Sequence, residues 1–449
     1  MPIPPRHQHR FIYHFTHLQN LPGVIRNGLL APNEQSRLGL RHKTIALQDI
    51  QDRRAETVVP CGPGGVVHDY VPFYFCSFSS MLLSVVNAKN VDQMHLIYLA
   101  VPISVIDRAD VIFSNASANT VVPPDFFSDP EDLARLDWTA IDSLKWSLGN
   151  SRNQARMAEV LLHHQVTIGE VDHIIVWNES IKKKVERIFA IARVAPLKIR
   201  FQGPPGKYHY VMDYPLNPTK SLVTGPYMTR IEYENAVKEI LGSGKDRSAA
   251  RFENTKEMLV ALRGDLASLP ETAELVGLES DNEVHKENVG NHTLSVVRGL
   301  TRLDEFAALD GGDRETVELA AFLHDIGKGP KSRWAWNRGK QKADRDHPIK
   351  SVKMLVRILT EEVKAIDPVE AKVLAKLICY HDLVGDILGR GRNPEQLEKI
   401  AESERELDML IALGMADMRA VNANWYNNNV GKVSELRERI LTKLNSGTA

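Results

Sequence analysis

At 449 residues the chain is long enough for two or three domains of roughly 100–200 residues each. Its 43% apolar content suits ordinary globular cores, and 56 basic against 57 acidic side chains give a net charge of −1, which excludes a globally basic nucleic-acid binder and confines any such surface to a local patch. Cys61, Cys76 and Cys379 are scattered and form no C-x-x-C pair, as in a reducing compartment. No run approaches the roughly 18–20 apolar residues of a membrane-crossing helix, and the N-terminus has no signal-peptide pattern. A soluble cytoplasmic protein without membrane contact is the expectation.

The first two hundred or so residues mix strand and helix signals. A short helix is expected from Asn20, a good N-cap, with Pro22 in its first turn and Gly28 near its end. DYVPFYFCSF from Asp69 is aromatic and extended, LIYLAVPISVI from Leu96 suits a buried strand, and HIIVW from His173 and LKIRF from Leu197 read likewise. A further helix follows Asn178, with Glu179 in its first turn. This is an α+β pattern. After Tyr210 the segment YPLNPTKSLVTGPY has prolines, a glycine and no period, and reads as a connection. From about Arg251 apolar residues recur at helical spacing in LSVVRGLTRL, VELAAFLHDI and KSVKMLVRIL, and strand signals fade. The expected division is therefore a domain over 1–212, a connecting segment over 213–250 and an all-α domain over 251–449.

Four N-terminal segments carry chemistry-bearing side chains: YHFTHLQNLPGVIRNGLL with His14, Thr16 and His17; DRRAETVVPCGPGGVVHDYVPFYFCSFSSML with Arg53, Arg54 and Tyr70; FSNASANT around Asn115; and RMAEVLLHH with Glu159. Singly each has a bland reading: a structural histidine, a solvated arginine pair, a tight turn, the polar side of an amphipathic element. Together and in this order they resemble the DarT family, whose members carry YxxTHxxNL, an Arg-rich segment leading into DYVPFYF, and a later A-E-x-L. The resemblance spans roughly residues 1–210. It implies an ADP-ribosyltransferase fold with NAD between two small sheets, and transfer of ADP-ribose to a base in single-stranded DNA. It further implies Glu159 as the catalytic glutamate and Arg54 or Arg53 as the essential arginine, the register being open. His17 with Thr16, His14 and, loosely, Asn115 would stand near NAD, and Tyr70 is expected to pack on it. A carboxylate beside the ribose can stabilise developing positive charge and take a proton from the acceptor; a guanidinium suits the pyrophosphate. A base must be unstacked to enter such a site, so Arg37, Arg41, His42 and Lys43 are candidate contacts to a single strand.

The C-terminal half carries HKENVGNHTL with His285 and His292, LAAFLHDIGKG with His324, Asp325 and Lys328, DRDHPIKSV with His347, ICYHDLVGD with His381, and LGMADMRAVN with Asp417. Imidazoles and carboxylates on helices, pointing into a bundle, suit divalent ions used in phosphate hydrolysis. The set resembles the HD phosphohydrolase superfamily over about 280–425. That resemblance implies an HD-type helical fold. His292, His324, Asp325 and Asp417 would hold one ion, His347 and His381 a second, with Asp325 bridging; Lys328 would contact phosphate, and His285 departs from the ligand pattern. The fusion thus reads as a toxin-like or defence transferase with a metal-dependent hydrolase. DarT toxins are typically paired with a macrodomain antitoxin; no macrodomain pattern is evident in this sequence, which leaves the source of self-protection open between an antitoxin partner and the HD region. A second reading makes the HD region the working enzyme and the N-terminal half an NAD or nucleic-acid sensor; a third makes both halves non-catalytic DNA-binding modules.

Overall fold

A computed structural model of the chain describes residues 3–45, 48–118, 120, 123–145, 148–201, 209–210, 223–244, 247–281 and 287–446. The chain divides into two compact units, Met1–Asn87 with Val91–Met212, and Ala88–Asn90 with Asp213–Ala449.

Among its described residues the first unit has ten strands: β1 (Phe11–His17), β2 (Leu29–Leu30), β3 (Tyr70–Tyr74), β4 (Leu96–Pro102), β5 (Val111–Ser114), β6 (Phe126–Phe127), β7 (Glu159–His163), β8 (Gln165–Val166), β9 (His173–Val176) and β10 (Lys198–Phe201). Eight of them form a mixed sheet in the order β10-β9-β4-β1-β3-β7-β5-β6, while β2 and β8 pair separately. The four aromatic or β-branched runs expected as strands are strands, but LIYLAVPISVI stops at Pro102, whose missing N–H ends the ladder, and Ile103–Asp107 turns into a 3-10 helix. The sheet has one weak seam: β1 and β3 share a single registered pair, Tyr13↔Tyr74, whereas β1 pairs β4 over seven residues and β3 pairs β7 over five. The two small sheets implied by the resemblance are thus two halves of one sheet joined at that seam.

The helix Leu21–Asn27 has Pro22 in its first turn and ends at Gly28 with φ of 72°. A Cβ at Gly28 would stand 2.6 Å from the Val166 carbonyl, so only glycine lets the chain turn into β2 beside β8. Asn20 does not cap this helix with its side chain. Its amide donates instead to the Thr16 hydroxyl and the Lys43 carbonyl, and its carbonyl accepts from the Lys43 N–H. Asn178 does cap the helix Glu179–Ala192, accepting from the Ile181 N–H. The main core of this unit lies against the sheet, with Ile12, Val71, Phe73, Ile97, Leu99 and Val160 nearly or fully buried.

The second unit is helical. Its apolar stripes close on one core that includes Val296, Leu323, Val352, Leu377 and Leu413, from the helices Val289–Leu300, Gly311–Leu323, His347–Arg357, Pro368–Cys379 and Glu404–Val421. The segment 213–250, read as a connection, carries the 17-residue helix Pro226–Gly242, while 211–222 and 245–246 lie outside the described residues. The buried positions of this helix are Thr229, Ala236 and Ile240; a threonine and an alanine in the contact stripe leave little apolar period to read.

Candidate active site and metal centre

In the first unit a cavity of about 520 Å³ opens at the seam of the sheet. Its walls include His14 and Thr16 of β1, Pro72 and Tyr74 of β3, and Arg54 from the helix Gln48–Glu56. His14 crosses the seam, its Nδ1 lying 2.8 Å from the Pro72 carbonyl, and burial lowers its pKa. Arg41, His42 and Lys43 line the same cavity, whereas Arg37 is paired with Glu34 by 2.7 and 2.9 Å hydrogen bonds and stands away from it.

Glu159, the first residue of β7, is fully buried directly behind Arg54. The guanidinium donates to both carboxylate oxygens, at 3.0 and 2.9 Å, and the Ala118 N–H (2.9 Å) and Ser117 hydroxyl (3.2 Å) donate to Oε1. The Ser114 hydroxyl accepts the Glu159 N–H at 3.2 Å, fixing the start of the strand. A bidentate buried pair of this kind is strong, and removing one partner costs about 3–5 kcal/mol because the other charge is left uncompensated. Of the two arginines, Arg54 is 6% exposed and faces Glu159, while Arg53 is exposed to solvent one position earlier on the helix.

Three expected cofactor neighbours stand elsewhere. The Tyr70 ring is buried among Val59, Val67, Ile112 and Leu161, with its hydroxyl donating to the Gly64 carbonyl at 2.7 Å, so it is core and not a stacking surface. Tyr74, four residues on and on the same side of the strand by the period of two, faces the cavity in its place. Reading alternation through DYVPFYF offers both tyrosines; it does not say which end of the strand faces the cavity. His17 is buried, its Nδ1 accepting from the Gln19 N–H at 3.1 Å and its ring edge-on to His95; it is not in the cavity wall, and burial lowers its pKa to about 3, with Lys43 and His95 adding to the effect. Asn115 is locked to Asp125 through two hydrogen bonds of 3.0 and 3.1 Å, and the Glu159 contacts come from Ser117 and Ala118 beside it. Those contacts depend on how a loop folds back onto β7 and have no motif of their own.

In the second unit all six expected metal ligands meet. Packing of the helix Val289–Leu300 against Glu404–Val421 brings His292 Nε2 to 3.1 Å from Asp417 Oδ1 and 3.6 Å from Asp325 Oδ2. His324 caps the end of the helix Gly311–Leu323, and Asp325 follows it. At Gly327 a Cβ would come within 2.5 Å of the Ser351 nitrogen, so glycine lets this turn sit on the helix His347–Arg357 and brings His347 Nε2 to 3.2 Å from Asp325 Oδ1. Two sets of donor atoms lie close enough to share an ion each, His292, His324 and Asp325, and Asp325, His347 and His381; Asp325 belongs to both.

The hydrogen bonds fit a cation. His324, His347 and His381 each place Nδ1 against a backbone carbonyl, of Ala321, Asp344 and Ile378, at 2.6–2.8 Å, which puts the ring proton on Nδ1 and leaves Nε2 as a lone pair. His324 Nε2 and Asp325 Oδ1 are buried without a hydrogen-bond partner. The Nε2 atoms of His347 and His381 face each other at 2.9 Å, two lone pairs with no proton between them. Burial, followed by the neighbouring His324 and His347, lowers the His381 pKa to about 3, which keeps the His381 ring neutral. Buried polar atoms left this way are costly, and a divalent ion is the partner their chemistry fits. Lys328 Nζ is 2.6 Å from Asp325 Oδ2 and mostly buried, beside the cluster. His285 lies outside the described residues.

Comparison with known proteins assigns each unit. The family model described as ssDNA thymidine ADP-ribosyltransferase, DarT, matches residues 13–209, and the HD domain matches 289–412. A DNA ADP-ribosyl transferase from Thermus sp. (strain 2.9) is 33% identical over 39% of this chain and 86% of its own length. One from Thermus aquaticus is 35% identical over 40% of this chain and 80% of its own. A bifunctional uridylyltransferase/uridylyl-removing enzyme from Cereibacter sphaeroides is 27% identical over 36% of this chain but only 18% of its own length. The solved structure of Thermus sp. 2.9 DarT in complex with ADP-ribosylated ssDNA aligns with 45% of this chain and 97% of that one, at 28% identity and a TM-score of 0.41. The chain belongs to the DarT family of DNA ADP-ribosyl transferases, with an HD domain following in the same polypeptide.

Proposed function

We propose that the first unit transfers ADP-ribose from NAD to a base of single-stranded DNA, with Glu159 and Arg54 as its catalytic pair, and that the HD domain is a metal-dependent phosphohydrolase. The observation that carries the first reading is a buried carboxylate held by a bidentate arginine at the wall of a cavity set in the sheet seam. NAD supplies the ADP-ribosyl group, with nicotinamide as leaving group. His14, Thr16 and Tyr74 shape the cavity in which the cofactor is held, a placement supported by their shared wall with Arg54. Glu159, which accepts four hydrogen bonds, is suited to stabilise positive charge developing on the ribose and to accept the proton leaving the acceptor nitrogen as the new C–N bond forms. Arg54, which lines the cavity and pairs with Glu159, is suited to receive the pyrophosphate. Arg41 and Lys43 add positive charge to the same wall, suited to an approaching strand.

In the HD domain, His292, His324, Asp325 and Asp417 would hold one ion and His347 and His381, with Asp325, the other. Such ions, when bound, acidify water and neutralise charge on a phosphoryl group. Lys328 orients Asp325 and offers a cation to an incoming phosphate.

Action on DNA with NAD is consistent with a cytoplasmic protein, and no described helix is long and apolar enough to cross a membrane. DNA modification also calls for an antidote, whether a partner antitoxin or the HD domain itself. Mass spectrometry of a single-stranded oligonucleotide and its duplex after incubation with NAD tests the transferase reading. ADP-ribose added to the single strand, on thymidine as the family description states, is the expected product; unmodified DNA from a folded, NAD-binding protein would shift the assignment to the sensor reading.

A further inference from the structure

We infer that the segment from Lys328 to Asp346 is a platform for single-stranded nucleic acid that presents a phosphodiester to the His/Asp cluster. The substrate class rests on the phosphohydrolase reading of that cluster; the binding surface is carried by separate observations. Both ends of the segment are fixed at the cluster, Lys328 by its 2.6 Å contact with Asp325 and the far end by His347, which follows Asp346 directly. Counted with Lys328 itself, the segment carries seven lysines and arginines and two aspartates, a net of +5 in a chain whose total is −1.

An aromatic pair sits within this charge. Trp334 is buried, its Nε1 donating to the Lys328 carbonyl at 2.7 Å, with the Arg333 guanidinium 4.5 Å over its ring. Trp336 is 47% exposed, its ring 6.2 Å from that of Trp334, so the indole is backed by an anchored neighbour and open on its outer side. An exposed indole among cations has the two elements of single-strand recognition, a flat apolar face for a base and positive charge for the backbone; stacking alone contributes about 1–3 kcal/mol per base. Lys331 and Arg338, on either side of the tryptophans, are exposed. Lys340 and Lys342 are held by Glu279 and Asp281 in exposed pairs, which phosphates can displace at small cost.

A free nucleotide needs only the cluster and Lys328. A cation-rich segment anchored at the cluster, with a stacking face, matches a polymer that carries one charge per residue. Hydrolysis there adds one water across a P–O bond: the hydroxyl oxygen joins phosphorus and a proton goes to the departing ribose oxygen.

The test uses the full chain without NAD. Single-stranded oligonucleotides carrying bromodeoxyuridine or bromouridine are photo-cross-linked and the adducts mapped, while bis(p-nitrophenyl) phosphate with Mn²⁺ reports small-diester turnover. The expected results are an adduct at Trp336, lost in Trp336→Ala and kept in part by Trp336→Phe. Inhibition of small-diester turnover by the oligonucleotide should weaken at least about tenfold in Trp336→Ala with Lys331→Glu and Arg338→Glu, while turnover itself is unchanged. The DNA and RNA arms identify which polymer binds. Adducts confined to other segments, with inhibition unaltered in the triple variant, would overturn the platform. Absence of small-diester turnover with the Trp336 adduct present would instead remove the hydrolase reading and leave the binding surface in place.

Discussion

The two sites treat buried charge in opposite ways. Around Glu159 every acceptor is answered from within the chain, by Arg54, Ser117 and Ala118. Around Asp325 the chain leaves lone pairs facing one another, at His324 Nε2, at Asp325 Oδ1 and across the His347–His381 gap. A satisfied carboxylate beside a roomy cavity suits an organic co-substrate that enters and leaves. Converging unsatisfied donors suit a resident cation. Hydrogen-bond satisfaction therefore separates the two chemistries more directly than residue type does, since both sites are made of carboxylates and cationic or imidazole side chains.

That contrast can be broken at either end. The largest effect is expected from Glu159→Ala, which should lower DNA ADP-ribosylation by at least about 10³-fold and, by stranding Arg54, destabilise the first unit by about 3–5 kcal/mol in denaturant unfolding. Glu159→Gln should abolish transfer too and, because the Arg54 charge is again unpaired while an amide carbonyl keeps part of the hydrogen bonding, should destabilise the unit by less than the alanine variant. Next, His324→Ala with Asp325→Ala should abolish metal binding by elemental analysis and remove the metal-dependent rise in melting temperature, while leaving the transferase rate within about twofold. If the HD domain is the antidote, the same double variant should be more toxic to a host; unchanged growth would exclude that role.

Smaller effects sharpen the assignments. Burial holds the folded His17 pKa at about 3 against 6.5 when exposed, so the unfolded chain takes up the proton first as pH falls. This contribution is complete above pH 6.5 and is lost progressively toward pH 3, by roughly 1 kcal/mol at pH 5. Melting at pH 7.5 and 5 should show that loss in the wild type and a smaller one in His17→Asn, which keeps a capping acceptor. Tyr70→Phe should cost about 1 kcal/mol, from the hydrogen bond to Gly64, without changing NAD affinity. Arg53→Ala should change stability by less than about 0.5 kcal/mol and leave transfer intact, since the side chain is exposed.

Much of this was legible in the residues. The strands at Tyr70, Leu96, His173 and Lys198 announce themselves by aromatic and β-branched runs, and the helix after Asn178 by its cap. The residues of the His/Asp cluster were legible because each sits at a helix end or on a helix stripe, where spacing constrains direction. What escaped depends on long-range placement. Which tyrosine of DYVPFYF faces the cavity is set by the seam between β1 and β3, a tertiary feature without a local signal. The N-cap role expected of Asn20 gave way to its contacts with Thr16 and Lys43, because a longer-range partner satisfied the amide. The helix Pro226–Gly242 was hidden by small and polar residues in its buried stripe.

The most direct test of the account measures transfer of label from NAD to a single-stranded oligonucleotide by the wild type and Glu159→Gln, each with and without a chelator. The account predicts equal labelling by the wild type in both conditions and none by the variant, because the Glu159 site is complete without metal. Labelling retained by Glu159→Gln, or lost from the wild type on chelation, would contradict it.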